Sequence, residues 1–436
     1  MRRNALLKLL EWKDSNRRKP LIIRGARQVG KSWLMKEEFA KKYYDDYIYI
    51  SFDKELEAKK IFAETKDPKI LLERISLYKN KPILSEKTLL IFDEIQDCPE
   101  AIGSLKYFNE EANEYHIVSA GSLLGTYLAK DTSFPVGKVN LLSLYPLTFD
   151  EFLEEVDEGM YKYYQSITSP EDYVEAFHDK MLEIFRKYLI VGGMPECVKS
   201  WVSNKNPQEV LEIQKELVRI YESDFLKHNN KISSGKILQV FRNIIPQLAK
   251  ENNEKFVYSI LRKGARGREY EDAIEWLITS GLSFKVNNIT TPEYPLKTYE
   301  QQNIFKLFLL DVGLLKYMAG LDNSSILLDD AFNFKGQLME NYVLEQLAPQ
   351  MDFTPNYYAM GKDFEIDFII QKESAVVPLE VKAGLNKRAS SFKRYIEKHN
   401  PKIAIRFSSN GYVKDGEITN IPLYLASKTM ELLKLC

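Results

Sequence analysis

The stretch that decides the fold is Gly25-Ala26-Arg27-Gln28-Val29-Gly30-Lys31-Ser32. The aliphatic run Leu21-Ile22-Ile23 lies just before it and predicts a short buried strand, and a helical pattern begins at Lys31. A GxxxxGK[ST] loop between a strand and a helix is typical of a site whose backbone N–H groups surround nucleotide phosphates. We expect Lys31 to reach the β and γ phosphates of ATP and Ser32 to bind Mg²⁺. Residues Gly25 to Ser32, together with Trp33, are therefore predicted to bind ATP.

Two carboxylates follow the next strongly apolar run. Leu89-Leu90-Ile91-Phe92 predicts a buried strand and is followed directly by Asp93 and Glu94. Ligands of open α/β sheets bind at the carboxyl ends of the strands, so both acids should lie beside the phosphates. Asp93 is predicted to hold Mg²⁺ through water. Glu94 is predicted to be the general base that polarises the attacking water, so that Glu94 and Lys31 are the catalytic residues of this site.

Small polar residues end the neighbouring strand. His116-Ile117-Val118 leads into Ser119-Ala120-Gly121-Ser122, and Ser119 is favoured over Ser122 as a contact of the γ-phosphate or the water. Either hydroxyl could equally cap the following turn. Four arginines are candidates for stabilising charge on the transferred phosphoryl group, but arginines on helices are more often solvated, so none is preferred. These are Arg24, Arg27, Arg186 and Arg219.

Length and composition limit the number of domains, the kinds of partner and the cellular compartment. The 436 residues exceed what one hydrophobic core usually serves, which predicts two or three domains. The formal net charge is -1, so any contact with DNA must come from local basic clusters. Cys98, Cys197 and Cys436 lie far apart, which disfavours a disulfide framework or a structural zinc site and favours a cytoplasmic protein. No apolar run approaches the length of a membrane helix, so no membrane partner is expected.

Four polar residues near the C-terminus form a second constellation. Glu340 lies in a helical pattern, Asp367 in the strand Phe364–Ile370, and Glu380 and Lys382 on one side of the next strand. Strict alternation in the first strand predicts one face with residues 364, 366, 368 and 370 and another with 365, 367 and 369. Carboxylates between two strands can collect Mg²⁺, and a lysine can orient water for attack on a phosphodiester.

This constellation resembles the PD-(D/E)XK pattern of restriction-endonuclease-like folds. We therefore predict Glu340, Asp367 and Glu380 as metal ligands, and Asp367, Glu380 and Lys382 as catalytic residues. A Glu-X-Lys triplet in a strand is ordinarily an exposed face with a salt bridge, so the pattern favours the fold and leaves cleavage open.

Two basic clusters are candidates for nucleic-acid contact. The first, here called the basic loop, spans residues 262–268 and contains Arg262, Lys263, Arg266 and Arg268 but no acid. It precedes a helical pattern and then Gly281–Val286, which together resemble a winged helix whose loop would meet DNA phosphates. The second cluster consists of Lys387, Arg388, Lys393 and Arg394. Basic runs are more often solvated faces, and both interpretations remain open.

The nucleotide-site residues together resemble the additional-strand class of P-loop ATPases that contains the AAA proteins. In that class a glutamate directly follows the Walker B aspartate and a polar sensor ends the neighbouring strand, as with Asp93, Glu94 and Ser119. Over nearly the whole chain, the sequence is similar to bacterial and archaeal AAA-family ATPases that carry a C-terminal restriction-endonuclease-like domain of unknown function. The similarity rests on segments 20–32, 91–96, 144–152, 192–196, 309–314 and 364–368. It implies a parallel sheet with strand order 5-1-4-3-2.

The expected fold is α/β, with an AAA-type P-loop core at 1–155 and a helical lid at 156–232. A winged-helix-like segment at 233–298 and a PD-(D/E)XK nuclease-like domain at 299–436 complete it. The expected function is ATP hydrolysis with Mg²⁺, acting on DNA or another nucleic acid, with a Mg²⁺-dependent nuclease-like domain. A homo-oligomer is a candidate state of assembly. The alternative is a nucleotide-controlled switch or scaffold whose C-terminal domain binds DNA or protein without cleaving. A small-molecule kinase is disfavoured because Glu94 directly follows Asp93.

Overall fold

The computed structural model describes residues 1–121, 134–227, 234–250, 255–328, 333–361, 364–383 and 390–433. The chain divides into two compact units, one of residues 1–145 with 279–281 and one of residues 146–278 with 282–436. The division into four segments, at 1–155, 156–232, 233–298 and 299–436, stays a prediction. Within the described ranges, no helix is both long enough and apolar enough to cross a membrane. Ser122, Lys387, Arg388 and Cys436 lie outside the described residues.

The first unit is built on a five-stranded parallel sheet. Its strands are β1 (Leu21–Arg24), β2 (Asp46–Ser51), β3 (Thr88–Asp93), β4 (Ile117–Gly121) and β5 (Asn140–Ser143). Their order is β2-β3-β4-β1-β5, which confirms the order 5-1-4-3-2 that the resemblance implied. Every residue of β3 and β4 is buried, as expected of central parallel strands covered on both faces.

Helices surround this sheet. They are α1 (Ala5–Asp14), α2 (Lys31–Trp33), a π-helix (Leu34–Ala40), α3 (Lys41–Tyr43), α4 (Leu56–Glu64), α5 (Pro68–Lys79) and α6 (Pro99–Glu111). Helix α5 begins where it does because Asp67 accepts hydrogen bonds from two N–H groups of the first turn and Pro68 occupies its first position. One face of the sheet packs on the edge-to-face rings of Phe52, Phe62 and Phe92, with centroids 5.4 to 5.9 Å apart.

The second unit contains an eight-stranded mixed sheet of order β12-β13-β11-β10-β9-β8-β6-β7. Its strands are β6 (Ser283–Ile289), β7 (Glu300–Leu309), β8 (Asn356–Ala359), β9 (Glu365–Lys372), β10 (Ala375–Val381), β11 (Ala404–Ser408), β12 (Val413–Asp415) and β13 (Ile418–Pro422). Strands β6 and β7 pair as an antiparallel hairpin, and β6 also pairs with β8. The strands on either side of the predicted boundary at residue 298 thus share one sheet with Asp367 and Glu380.

The second unit contains many helices, several of them within the range 156–232 where a helical lid is expected. They are α7 (Phe149–Val156), α8 (Glu158–Ser166), α9 (His178–Val191), α10 (Pro195–Asn204), α11 (Pro207–Lys227), α12 (Ser234–Leu248), α13 (Tyr258–Leu261) and α14 (Glu271–Thr279). After β7 come α15 (Val312–Met318), α16 (Asn323–Leu327), α17 (Lys335–Leu347), α18 (Ser390–His399) and α19 (Thr429–Leu432). Helix α7 starts in a capping box between Thr148 and Glu151.

Three of the segments that carry the resemblance meet inside this unit. Leu147 N–H donates to Gly193 O at 2.7 Å, and Gly193 N–H donates to Asp311 Oδ2 at 2.6 Å. Asp311 also caps α15 by accepting from Leu314 N–H at 2.9 Å. Beside it, Glu345 Oε2 accepts from Val312 N–H at 2.6 Å. We call these residues the buried junction. Their packing explains the residue types found in the three segments.

The two buried acids of the junction, Asp311 and Glu345, should make the stability of the protein depend on pH. Burial raises the pKa of Asp311 to about 6 against the opposing hydrogen bonds of Gly193 and Leu314, and burial raises that of Glu345 well above its usual range. An acid with a raised folded-state pKa stabilises the fold fully below its unfolded pKa, and this contribution is lost as pH rises through the folded pKa. From pH 5 to pH 7.5, Asp311 alone should lower the free energy of unfolding by about 1 kcal/mol.

Urea unfolding of the wild type and of Asp311→Asn at both pH values would measure this effect. The variant should be less stable at either pH. The two carboxylate oxygens of Asp311 accept from Gly193 N–H and Leu314 N–H, whereas an amide has only one oxygen that can accept. Its stability should nevertheless change less with pH than that of the wild type. An equal change in stability between pH 5 and pH 7.5 in the wild type and the variant would contradict the assignment.

Candidate functional site

The loop between β1 and α2 adopts a conformation that depends on glycine. Gly30 has φ +94°, in the left-handed region, and directly precedes the first residue of α2. A Cβ on Gly25 would lie 2.2 Å from the backbone oxygen of Leu144, closer than atoms can approach. The loop and the N-terminus of α2 therefore have the backbone geometry that the motif predicts.

Lys31 is buried and its ammonium lies inside the loop. Its Nζ donates to the carbonyl oxygens of Gly25 at 2.9 Å and Ala26 at 2.7 Å. Burial lowers the pKa of Lys31 to about 8, while the negative charges of Glu94 and Asp93 oppose the decrease. The negative charges of both acids thus act on the Lys31 ammonium, as expected from the sequence.

Asp93 brings the predicted magnesium ligands together. Its Oδ2 accepts from Ser32 Oγ at 2.5 Å and from the Tyr49 hydroxyl at 2.7 Å, and its Oδ1 accepts from Glu94 N–H at 3.1 Å. Asp93 is buried, at the end of β3. A carboxylate and a hydroxyl in contact beside a phosphate-binding loop are the hard oxygen donors that Mg²⁺ prefers. These residues therefore fit a magnesium ion.

Tyr49 is a site residue that the sequence analysis did not find. It lies on β2, the neighbour of β3, where Tyr49 pairs with Ile91 and Ser51 with Asp93. Its ring packs 4.4 Å from the Lys36 ammonium. The only sequence signal is a tyrosine in alternation with Ile48 and Ile50, and this pattern is equally typical of an edge strand with a packed face.

Replacing Tyr49 by phenylalanine should weaken the use of Mg²⁺ without removing ATP binding. The ring keeps its packing, but Asp93 loses one of the hydroxyls that orient its carboxylate. Loss of such an orienting partner typically costs about tenfold or more in metal affinity. The measurement is the Mg²⁺ concentration that gives half-maximal ATP hydrolysis, with ATP affinity measured separately in EDTA.

Tyr47→Phe is the matched control, because Tyr47 lies on the same strand with its ring 5.6 Å from Lys81 rather than at the loop. It should leave the Mg²⁺ dependence unchanged. If Tyr49→Phe and Tyr47→Phe had the same Mg²⁺ dependence, the hydrogen bond to Asp93 would have no positioning role.

Glu94 follows Asp93 in an unusual backbone conformation. Its φ and ψ are 48° and 47°, in the left-handed region that non-glycine residues rarely adopt. Gln96, in the 3₁₀ turn Ile95–Asp97, donates from Nε2 to Glu94 Oε2 at 2.6 Å. The strained backbone and this amide together hold the Glu94 carboxylate at the carboxyl end of β3. Gln96 was not predicted as a site residue.

Ser119 lies in the middle of the sheet, paired with Phe92 of β3 and Ile22 of β1. Its side chain is fully buried, and Oγ has no hydrogen-bond partner among the described residues. The hydroxyl thus lacks a protein hydrogen-bond partner within the described ranges, and its contact with a γ-phosphate stays a prediction. Arg24, one of the candidate arginines, donates instead to Ser143 Oγ at 2.9 Å.

The C-terminal constellation is only partly assembled. Glu380 is buried, and its two oxygens form ion pairs with Lys382 at 2.8 Å and Arg406 at 2.9 Å. Asp367 Oδ2 accepts from Val381 N–H at 2.7 Å. In the described part of the chain, no group of three or more His, Cys, Asp or Glu side chains is arranged to hold a metal ion.

Glu340 and Asp367 nevertheless belong to one electrostatic cluster. Burial raises the pKa of both carboxyl groups, and the negative charge of Asp367 adds to the effect on Glu340. Lys306 on β7 lies in the same cluster, and the sequence analysis did not find it. Burial lowers the pKa of Lys306, but the charges of Glu365 and Glu340 outweigh this effect and raise it overall.

Strict alternation along β9 was wrong at one point. The register between β8 and β9 shifts between the pairs Asn356 with Ile369 and Tyr358 with Ile366, so β9 contains one extra residue there. Ile366 and Ile369 consequently pack in one hydrophobic cluster, although alternation placed them on opposite faces. A β-bulge of this kind changes the facing of every residue beyond it, and it has no simple sequence signal.

The basic loop is accessible to solvent. Arg262, Lys263, Arg266 and Arg268 are all exposed, and Arg262 forms an ion pair with Glu269 at 3.0 Å. The helix expected after it is observed as α14. In the second basic cluster, Lys393 and Arg394 are exposed, and the Arg394 guanidinium lies 5.3 Å from the ring centroid of Phe364.

Comparison with protein families assigns the first segment. Residues 17–153 match the family described as AAA domain. Residues 182–325 and 335–425 match two families described as domains of unknown function, DUF8612 and DUF4143. The family descriptions thus cover the ATP site and leave the functions of the second and third segments open.

The chain is similar to several known proteins. An uncharacterized protein of Methanocaldococcus jannaschii is 27% identical over 363 residues, which cover 81% of this chain and 72% of that protein. Among solved structures, the Walker-type ATPase of Pyrococcus abyssi has a TM-score of 0.44 at 16% identity and covers 72% of this chain and 95% of that one. Cdc6p from Pyrobaculum aerophilum has a TM-score of 0.23 at 12% identity and covers 74% and 92%. The family match, together with the loop and sheet order, identifies residues 17–153 as a P-loop ATPase domain of the AAA type.

Proposed function

We propose that this chain binds ATP with Mg²⁺ at the loop Gly25–Ser32, hydrolyses it, and uses the cycle to act on nucleic acid. The observation that carries the ATP part is the 2.5 Å contact between Ser32 and Asp93 beside the buried ammonium of Lys31. Three groups with complementary roles in phosphoryl transfer thus meet at one end of the sheet.

Each residue of the site has a distinct task in this proposal. Ser32 and Asp93 would hold Mg²⁺, which when bound neutralises charge on the β and γ phosphates. Lys31 exchanges its two backbone carbonyl partners for phosphate oxygens, which are stronger acceptors because they are charged. Glu94 accepts the proton of the attacking water, and Gln96 keeps its carboxylate in place.

The nucleic-acid part of the proposal is supported by the basic loop. Its four cationic side chains project from the surface of a chain whose net charge is only -1, so the loop is a local positive site. Phosphate contacts by such side chains release counterions from DNA, which makes the affinity depend on salt. The winged helix that would carry this loop remains part of the proposal.

Removal of Arg266 and Arg268 should flatten the salt dependence of DNA binding. If both side chains contact phosphates, the double variant Arg266→Ala/Arg268→Ala should reduce the slope of log affinity against log salt by about 2. The measurement is fluorescence anisotropy with a labelled DNA duplex at several salt concentrations.

The double variant Lys162→Ala/Lys187→Ala is a matched control. It removes two positive charges that form ion pairs with Glu158 and Glu183 one helical turn away. Its slope should equal that of the wild type. Equal slopes in all three proteins would exclude the basic loop from the DNA-binding surface.

A second candidate function is the nucleotide-controlled switch whose C-terminal domain binds without cleaving. The ion pairs of Glu380 with Lys382 and Arg406 favour it, because they engage both oxygens of a predicted metal ligand. A cleavage assay on single- and double-stranded DNA would compare wild type, Asp367→Ala and Lys31→Ala with several metals and nucleotides. Loss of cutting in Asp367→Ala would support a nuclease, and no cutting by the wild type under any condition would support the switch.

Location and assembly also stay proposals. Cys98 and Cys197 are free thiols buried in the interior, which is compatible with a reducing cytoplasm. A homo-oligomer is proposed from the resemblance to AAA proteins alone.

A further inference from the structure

An arginine near the N-terminus contacts the backbone of the loop Gly25–Ser32. Arg3 lies just before α1 and is buried, with 5% of its surface exposed. Its Nη1 donates to the carbonyl oxygen of Val29 at 2.9 Å, and its Nη2 donates to that of Tyr145 at 2.6 Å. The guanidinium thus bridges the loop and the segment that follows β5, both of which lie in the first unit.

The segment after β5 is itself packed against the start of the loop. Leu144 N–H donates to Arg24 O at 2.8 Å, and Leu144 O lies 2.2 Å from the place of a Cβ on Gly25. Arg3 therefore joins two stretches of backbone that are already in contact. A guanidinium suits this task, because buried carbonyl oxygens need hydrogen-bond partners and its donors are held in one rigid plane.

The carbonyl of Val29 belongs to the same peptide group as the N–H of Gly30. This peptide bond is trans, and in a planar trans peptide the C=O and the N–H point in opposite directions. The hydrogen bond that holds the Val29 oxygen towards Arg3 therefore holds the Gly30 N–H on the opposite side. Gly30 has φ +94° and directly precedes α2, so this N–H belongs to the turn that the motif uses for phosphate.

We propose that Arg3 is a positioning residue of the ATP site, which fixes the peptide group between Val29 and Gly30 so that the Gly30 N–H is directed at the nucleotide phosphates. The inference rests on the proposed binding of ATP at this loop. Arg3 acts through the backbone and not by contact with phosphate. Because the N–H binds phosphate in the ground state and the transition state alike, its misplacement weakens nucleotide binding and leaves the chemical step nearly unchanged.

The test compares the full-length wild type with Arg3→Met in ATP hydrolysis and in binding of inorganic triphosphate, both with Mg²⁺. Methionine keeps an unbranched apolar side chain but donates no hydrogen bond. The variant should raise KM for ATP and the dissociation constant of inorganic triphosphate by about tenfold each, the usual effect of one hydrogen bond to a charged group. Its kcat should change by less than about threefold. A purely structural role would lower the amount of active protein, and hence the apparent kcat, without a change in KM.

Arg18→Met is the matched control. Arg18 also donates to two backbone carbonyl oxygens of the first unit, those of Lys13 at 3.4 Å and Asn113 at 2.5 Å, and neither acceptor lies in the loop. This variant should lose stability, as Arg3→Met should, but keep the wild-type KM and the wild-type affinity for inorganic triphosphate.

The wild type provides an arm that requires no variant to fold. Coupling between two sites is reciprocal, so a ligand bound at the loop must strengthen the contacts of Arg3. Saturating inorganic triphosphate should therefore slow amide hydrogen exchange at the start of α1, where Leu6 N–H donates to Arg3 O at 2.9 Å. The measurement is hydrogen-exchange mass spectrometry of the N-terminal peptide.

Two results would overturn the role of Arg3. One is a folded Arg3→Met protein with the wild-type KM and the wild-type affinity for inorganic triphosphate, and the other is amide exchange at α1 that does not respond to this ligand. Failure of the wild type to bind either ATP or inorganic triphosphate would instead refute the proposed function, and the role of Arg3 with it.

Discussion

Glu94→Gln is expected to lower the rate of ATP hydrolysis by about 10²- to 10⁴-fold, the usual contribution of a general base. Glutamine has nearly the shape of glutamate but cannot accept the proton of the attacking water. The side chain should remain in place, because the carbonyl oxygen of the new amide can still accept from Gln96 Nε2, which now bonds Glu94 Oε2 at 2.6 Å. Binding of ATP, which depends on the loop and Lys31, should be nearly unchanged.

Steady-state phosphate release and equilibrium binding of a fluorescent ATP analogue would separate these two effects. Glu100→Gln is the matched control, since Glu100 is exposed in the first turn of α6, a few residues beyond the site. Its turnover should equal that of the wild type. Turnover in Glu94→Gln within about threefold of wild type would assign the proton transfer elsewhere. A large loss of ATP affinity in the same variant would give Glu94 a binding role instead.

Gly193→Ala is expected to destabilise the second unit by about 3 to 5 kcal/mol, at the upper end of single-substitution effects. A Cβ at this position would lie 2.1 Å from the backbone oxygen of Leu147 and 2.9 Å from its nitrogen. The backbone segments at Gly193 and Leu147 must therefore move apart. That movement breaks the hydrogen bond from Leu147 N–H to Gly193 O and the one from Gly193 N–H to Asp311, and leaves buried groups without partners.

Equilibrium unfolding in urea, followed by circular dichroism, would measure the loss. Gly336→Ala is the control in the same unit, because its Cβ would meet no atom within 4 Å and the residue lies in α17. Alanine is a better helix former than glycine, so this control should be neutral or stabilising by up to about 1 kcal/mol. Equal stabilities of the two variants would show that the junction tolerates movement of its backbone.

Much of the first unit could be predicted from local sequence. The apolar runs before Gly25 and Asp93 predict buried strands, because a strand covered on both faces needs apolar residues throughout. The polar residues that follow each run then lie at one edge of the sheet. The strand order itself came from the resemblance to AAA proteins, and the structure confirms it.

Two of the residues that the sequence analysis missed, Tyr49 and Lys306, make contacts that cross between strands. Tyr49 reaches Asp93 because β2 and β3 are neighbours in a defined register. Lys306 reaches Glu365 from 59 positions away along the chain. A single sequence contains no local signal for either contact, since lysines and tyrosines in strands are common at exposed and packed positions alike.

The sequence by itself determined the nucleotide loop, the acid pair that follows β3 and the α/β class, because each depends on residues adjacent in the chain and on the periods of helix and strand. Only the tertiary structure decided which charges meet around Glu340 and Asp367, and that Gly193, Leu147 and Asp311 form one junction. Contacts between distant residues depend on register, bulges and burial, and these are properties of the packed molecule rather than of any segment.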